Sequence, residues 1–432
     1  MAGRRVKKLL AIALLAATAA LAGPAVAHAS SSIRYGVQDD AWLASGPGTL
    51  DERVARLKKL GVQIVRYTVR WDQVARRAPA SPGSQNDPAY DWTIPDSVLK
   101  SLREARIDVV VTLYGTPRWA NGGAGPNFAP RSKTALAAFA RATAVRYPWV
   151  RRWLIWNEPN QRIWLRPTSP NVYTKLLLNP AYAALHAVRR GVIVGGGVTA
   201  PRGSTLGVSP VDWLRGMAAA HARLDAYATN PYPLNPRSET PSSGACARCR
   251  TFTMANLPKL LADVQRYFPG KRVWLTEYGY QTNPPDRFLG VSPALQARYL
   301  AEAALRAYLA PRVDMLINFL VRDEPEVGRW QSGLLNIGGV AKPAYFAFSL
   351  PLAQVSRHGS TTVLWGQVRP GSGRRTYLLE QLVFGRWKIV GGVSRTDARG
   401  FLRRTVRASA GARFRLVAPS LDDLVSPALL VT

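Results

Sequence analysis

The sequence predicts a (β/α)8 barrel of the TIM type followed by a small all-β, sandwich-like domain, and three observations carry that prediction. From about residue 33 to residue 355 short apolar runs alternate with amphipathic stretches, the pattern of repeated βα units built on a parallel sheet. Eight such pairs fit in the span, the number that closes a barrel. Beyond residue 355 the texture changes to β-rich segments separated by turns such as Pro370-Gly371-Ser372-Gly373. An open doubly wound sheet would carry a glycine-rich phosphate loop after an early strand, and neither the dinucleotide pattern nor the P-loop pattern occurs.

The chain has 432 residues, of which 47% are hydrophobic, enough for a large core. Its first segment is a basic stretch (Arg4, Arg5, Lys7, Lys8), an apolar run from Leu9 to Gly23 and a small-residue site, Ala27-His28-Ala29. Residues 1–29 therefore read as a secretory signal peptide, because the apolar run is shorter than the ~20 residues a membrane span needs. The expected product is secreted, extracellular or associated with the cell wall, with no membrane attachment after cleavage.

Residues 30–355 hold the barrel. The strands are read at Ile33–Gln38, Val62–Val69, Asp108–Tyr114, Trp153–Asn157, Val192–Val198, Leu224–Thr229, Val273–Tyr278 and Met315–Val321. Helices follow them at Leu50–Leu60, Ser97–Ala105, Ser132–Tyr147, Val172–Arg190, Pro210–Ala222, Met254–Phe268, Pro293–Leu309 and Pro343–Val355. Residues 356–432 form the β domain, with strands at Thr361–Val368, Arg375–Val383, Trp387–Val393 and Ala412–Val417. Trp365 and Trp387 are read there as core aromatics or glycan contacts.

Chemistry is narrowed by what is scarce. Four His and two Cys leave no set with zinc-ligand spacing, so no metal and no cofactor are expected. No Gly-x-Ser-x-Gly elbow is present, which disfavours a Ser-His-Asp hydrolase. Cys246 and Cys249, in a loop of about twenty residues after the sixth strand, are read as a local disulfide. The formal net charge of +32 comes mainly from Arg scattered along the chain, without a nucleic-acid motif. Either a solvated cationic surface or contact with an anionic cell-wall polymer or glycan accounts for it; no nucleic-acid partner is expected, and the chain is taken as a monomer.

Two carboxylates stand out, each closing a hydrophobic strand: Glu158 in Trp156-Asn157-Glu158-Pro159 and Glu277 in Thr276-Glu277-Tyr278-Gly279. In a closed barrel the fourth and seventh strands open onto one rim, so the two meet across it although they lie far apart in sequence. A facing carboxylate pair suits glycosidic-bond cleavage, one member holding a proton and the other a charge.

With these motifs the chain resembles the clan A glycoside hydrolases, retaining (β/α)8 enzymes with the acid/base on strand four and the nucleophile on strand seven. The resemblance extends to the branch that includes β-xylosidases and exopolysaccharide hydrolases. It implies that Glu158 is the acid/base, that Glu277 is the nucleophile and that Asn157 binds the sugar 2-hydroxyl. Arg66 resembles the cation that keeps the nucleophile ionised, Gly115-Thr116-Pro117-Arg118-Trp119 is similar to the family's loop after strand three, and Tyr232 matches the Tyr that contacts the nucleophile. Two departures are visible: Asn230 stands where many members have His, and the platform Trp at the end of strand eight is missing, with Trp330 the nearest replacement. Arg66, Trp119, Asn157, Asn230, Tyr232 and Trp330 are thus the expected substrate-binding residues, and Trp42, Trp164 and Tyr280 are further aromatics at strand ends. The activity implied is hydrolysis of a poly- or oligosaccharide, or transglycosylation on the same residues. The alternative is a non-catalytic glycan- or cell-wall-binding protein on a degenerate barrel.

Overall fold

The computed structural model describes residues 29, 30 and 32–432; residues 1–28 of the signal-peptide segment lie outside the described residues. Eight parallel strands close into a barrel: β1 (Arg34–Gln38), β2 (Ile64–Arg70), β3 (Asp108–Tyr114), β4 (Arg152–Ile155), β5 (Ile193–Thr199), β6 (Ala226–Thr229), β7 (Arg272–Tyr278) and β8 (Val313–Phe319). β8 returns to pair with β1 from Arg34↔Met315 to Gln38↔Phe319, which leaves no open edge. Outside the barrel run α1 (Leu50–Leu60), α2 (Thr93–Glu104), α3 (Lys133–Arg146), α4 (Asn179–Val188), α5 (Pro210–Ala219), α6 (Leu257–Tyr267), α7 (Pro293–Leu309) and α8 (Pro343–Ser349).

Local chemistry sets the helix limits. Thr49 and Glu52 form a reciprocal capping box ahead of α1, and Gly61, at φ 74°, ends it in the left-handed region that glycine adopts without strain. Ser209-Pro210 and Ser292-Pro293 start α5 and α7 in the same way, the serine hydroxyl accepting a backbone N–H and the proline occupying a position whose N–H has no helical partner.

The lumen is a packed core of Ile64, Val110, Leu154, Val198, Ala226, Ala228, Trp274, Met315 and Ile317. Trp274 is the bulky member, and β5 makes room for it: a Cβ at Gly195 would lie 2.7 Å from Leu154 Cδ2 and 2.8 Å from the Trp274 ring. Gly195 is therefore a packing requirement of the seventh strand written into the fifth, whereas Gly196 lies against Leu178 and Gly197 against Tyr227.

Two helix readings are corrected. The single helix expected over Val172–Arg190 is a short turn at Pro170–Val172, a π-helical stretch at Tyr173–Leu178 and then α4. Pro180 sits where an uninterrupted helix would need an N–H donor, and the wider turn absorbs the break. The helix expected over Pro343–Val355 ends at Ser349, and Leu352–His358, ahead of which Pro351 stands, is the strand β9.

Antiparallel sheets follow. β10 (Thr361–Gln367), β11 (Thr376–Val383), β12 (Arg386–Ile389), β13 (Ser394–Arg395), β14 (Phe401–Arg407), β15 (Arg413–Ala418), β16 (Leu424–Val425) and β17 (Leu429–Leu430) join β9 in a three-stranded sheet ordered β14-β10-β9 and a second sheet built on β12-β11-β15-β16. Leu364, Tyr377, Leu379, Phe414 and Leu416 form the core between them. Trp365 is a core residue packed at a tilt against Tyr308 of α7 and Phe401, which rules it out as a surface glycan contact. Trp387 is half-buried under the Arg415 guanidinium, 4.3 Å from the ring centroid.

This β layer seats on α7, α8 and the N-terminal end of the barrel strands. Arg369, fully buried, lies 3.8 Å over the Tyr35 ring and 4.8 Å from that of Phe348, and donates to the Phe348 carbonyl at 2.6 Å and to Gln367 Oε1 at 2.8 Å. Burial pushes its guanidinium down to about 10, the adjacent Tyr35 opposing. A desolvated cation–π contact and charge-assisted hydrogen bonds are each worth about 2 kcal/mol. Arg369→Ala is expected to lower the unfolding free energy by about 2–4 kcal/mol in chemical denaturation, with Arg369→Lys recovering less than half because it lacks the planar fork.

Candidate active site

The site is assembled where β2, β4, β6 and β7 end. Arg66 sits in β2 with no exposed surface and spends its guanidinium on four acceptors: Glu277 Oε1 at 2.6 Å, the Thr276 carbonyl at 3.2 Å, Asn157 Oδ1 at 2.7 Å and Thr112 Oγ1 at 3.0 Å. Tyr232, after β6, donates its hydroxyl to the other Glu277 oxygen at 3.1 Å. Glu277, 7% exposed, thus faces a cation on one oxygen and a phenol on the other.

Glu158 lies opposite in different surroundings. It is half-buried, and Asn230 Nδ2 donates to its Oε1 at 3.0 Å. Asn230 is itself fully buried, and its Oδ1 accepts from Thr276 Oγ1 at 2.8 Å. With one Glu158 oxygen engaged by an N–H donor, the second is left to carry a proton. The backbone holding the carboxylate is strained: Trp156 has φ 74° and Glu158 φ 38°, so β4 ends at Ile155 and not at Asn157 as the sequence suggests. Hydrogen bonds from Trp156 N to the Leu113 carbonyl and from Glu158 N to the Val198 carbonyl, both 2.9 Å, pin this conformation between β3 and β5.

Burial raises the Glu158 carboxyl to about 7, the negative charge of Glu277 adding to the rise, while Asn230, Arg66 and the Trp164 indole pull the other way. Burial also raises Glu277, against the Arg66 charge and the Tyr232 and Arg66 hydrogen bonds. Two desolvated carboxyls this close do not both ionise readily. The first charge belongs on Glu277, which has the cation, and the retained proton on Glu158, which has only neutral partners.

Of the residues singled out from sequence, Arg66, Asn157, Glu158, Asn230, Tyr232 and Glu277 converge on this one network. Trp330 sits at its edge, 38% exposed, its ring centroid 4.8 Å from that of Tyr232 and edge-on to Phe319 at 5.6 Å. Trp119 is not part of the network: its Nε1 donates to the Ala75 carbonyl at 2.7 Å and its ring packs edge-on against Trp71. Trp42 and Tyr280 are buried, the latter donating to the Glu239 carbonyl at 2.7 Å. Cys246 and Cys249 are disulfide-bonded, with Cα atoms 5.3 Å apart. Their loop is tied outward, Arg250 to Asp212 of α5 and Ser242 to Glu302 of α7.

Trp164, read from the sequence as an aromatic at a strand end, faces Glu158, and two contributors, Thr112 and Thr276, had been given no role. Thr112 and Thr276 each interrupt an otherwise apolar strand, Val109–Leu113 and Val273–Leu275 with its following residue, and a polar side chain pointing into a barrel is the signal that marks them. Among the described residues no group of His, Cys, Asp and Glu side chains is arranged to hold a metal ion.

No family model matches the sequence, and no curated protein is detectably similar to it in sequence. Solved structures do match in fold. A glucosidase from Croceicoccus marinus superposes with a TM-score of 0.57 at 14% identity, over 90% of this chain and 98% of that one. A family 39 glycoside hydrolase from Bacteroides cellulosilyticus gives 0.56 at 16% identity, over 91% and 81%, and a family 39 enzyme from Xanthomonas axonopodis pv. citri gives 0.55 at 16%, over 90% and 97%. The chain therefore shares the architecture of these proteins, barrel and β layer together.

If one proton is shared as the surroundings dictate, removing the charge of Glu277 must lower the midpoint of Glu158. In Glu277→Gln, the Glu158 carboxyl carbon, followed by ¹³C NMR, is expected to titrate about one pH unit or more below its midpoint of about 7 in the native chain.

Proposed function

We propose that this chain, which has the barrel of the glycoside hydrolases it superposes on, is itself a retaining glycoside hydrolase, exported from the cell and acting on O-glycosidic bonds of a poly- or oligosaccharide. The observation that supports this most is the contrast between the two carboxyls: Glu277 is bound to Arg66 and Tyr232, whereas Glu158 is raised to about 7 beside a neutral amide. One supplies a charged nucleophile and the other a proton at neutral pH, as double displacement requires.

In the first step a Glu277 oxygen attacks the anomeric carbon as the glycosidic oxygen departs with the Glu158 proton, leaving a glycosyl ester on Glu277. In the second, Glu158, now a carboxylate, takes a proton from water whose oxygen attacks the same carbon, and Glu277 is released. Arg66 and Tyr232 hold the nucleophile ionised and oriented. Asn157 uses its carbonyl oxygen on Arg66 at 2.7 Å, so its amide N–H groups remain to donate to a sugar hydroxyl. Trp330, packed at a tilt against Tyr232, offers an apolar face for the ring. Export rests on the N-terminal signal pattern and agrees with the disulfide at Cys246–Cys249. Among the described residues no helix is long and apolar enough to cross a membrane.

Aryl β-glycosides test the mechanism. Glu158→Gln and Glu277→Gln are each expected to lower kcat/KM by about 10³-fold or more, product anomers followed by NMR should show retention, and a 2-fluoro glycoside should label the Glu277 peptide. Inversion, or unchanged turnover in both variants, overturns the reading. Because the acid must be protonated, kcat/KM is expected to fall as pH rises through the Glu158 midpoint near 7.

A further inference from the structure

A groove of about 440 Å³ opens on the same rim as the carboxylate pair, lined by Phe128, Arg162, Arg166, Pro167, Thr168 and Leu206. Its walls come from the loops after β3, β4 and β5, the middle one of which also carries Glu158. Arg162 lies one helical-type turn past Glu158, with Gln161 N bonded to the Glu158 carbonyl at 2.9 Å. Between the two arginines in sequence stands Trp164, whose carbonyl accepts from Trp156 Nε1 at 2.7 Å.

The floor is apolar, with the half-buried Phe128, the exposed Pro167 and the 62% exposed Leu206. The two cations are unpaired: among the described residues neither Arg162 nor Arg166 has a carboxylate within ion-pair distance. Several acids elsewhere are committed to neighbours, as Asp96 to Arg146, Asp212 to Arg215 and Arg250, and Glu380 to Arg415. Arg166 is also held in place. Its guanidinium carbon is 5.4 Å from the Phe128 ring centroid, its Nε donates to the Arg162 carbonyl at 3.3 Å, and its backbone is bonded to Asn127 and Ala129 at 2.8 Å each. This leaves its two terminal nitrogens without a protein acceptor.

A fixed guanidinium fork, a second guanidinium beside it and an apolar floor complement a sugar ring that carries an anionic group, since the fork binds a carboxylate or sulfate with two parallel hydrogen bonds while the ring's C–H face covers the apolar surface. We propose that this groove is a subsite for an anionic sugar residue of the glycan, so that the substrate is an acidic polysaccharide. The acidic-substrate half rests on the hydrolase reading above; the binding half does not.

Binding is measured by calorimetry on the full chain carrying Glu277→Gln, with tetragalacturonate as the carboxylate probe, a sulfated neocarratetraose as the sulfate probe and xylotetraose as the neutral one. At least one anionic probe is expected to bind about tenfold or more tightly than the neutral one, with the preference falling as salt rises; which probe wins identifies the anionic group. Arg162→Glu, at an exposed residue with no side-chain hydrogen bond in the chain, and the double variant Arg162→Ala/Arg166→Ala should each abolish the preference. Arg386→Ala/Lys388→Ala, which removes equal charge from the distant β12, should keep it. Equal binding of neutral and anionic probes, persistence of the preference in both groove variants, or its loss in the β12 variant overturns the proposal. Since the readout needs no turnover, a native chain that hydrolyses nothing while keeping an Arg162-dependent preference removes the hydrolase reading and leaves the groove.

Discussion

The site hangs on one buried cation. A guanidinium removed from water is costly unless every donor finds an acceptor and the charge finds a partner. Arg66 meets both conditions only if Thr112, Asn157, Thr276 and Glu277 are all in place, which means that β2, β3, β7 and the segment after β4 must be in register around the barrel. The same contacts that make Arg66 tolerable orient Asn157 and hold Glu277 charged. Folding and the proposed chemistry therefore draw on a single set of bonds, and the strain at Trp156 and Glu158 is carried by a framework already closed around them.

Much of this was legible in the sequence because the barrel translates strand order into spatial position. Once eight βα pairs are recognised, Glu158 and Glu277 must share a rim, and residues at the ends of β2 and β6 must lie between them. What the sequence did not disclose has physical causes. Thr112 and Thr276 matter through hydrogen bonds that only the closed sheet creates. Trp119 looked like a rim aromatic, but the Ala75 carbonyl captures its N–H and Trp71 its face. β14 was missed because Arg403, Arg404 and Arg407 mask its alternation, and β9 because Leu352–His358 reads as readily as a helix end. Asn230 is the informative departure: an amide that cannot ionise takes the place of an imidazole, and Thr276 fixes which of its ends faces Glu158.

The superpositions at 14–16% identity, with two chains covered along nearly their whole lengths, show how little of the sequence the architecture needs. It needs a lumen filled to density, which Trp274 and the β5 glycines provide together, and a rim on which loops vary freely. The groove at Arg162 and Arg166 belongs to that variable rim, whereas Arg66 and its acceptors belong to the strands.

The antiparallel layer, by contrast, is joined to the opposite end of the barrel through Arg369, Trp365 and Phe401, and Arg357 and Gln354 of β9 grasp the Thr432 carbonyl. Thr432 is consequently exposed on the side turned away from the rim that carries Glu158 and Glu277. A tether, a bead or a fused module attached to that face would leave the opposite rim unobstructed.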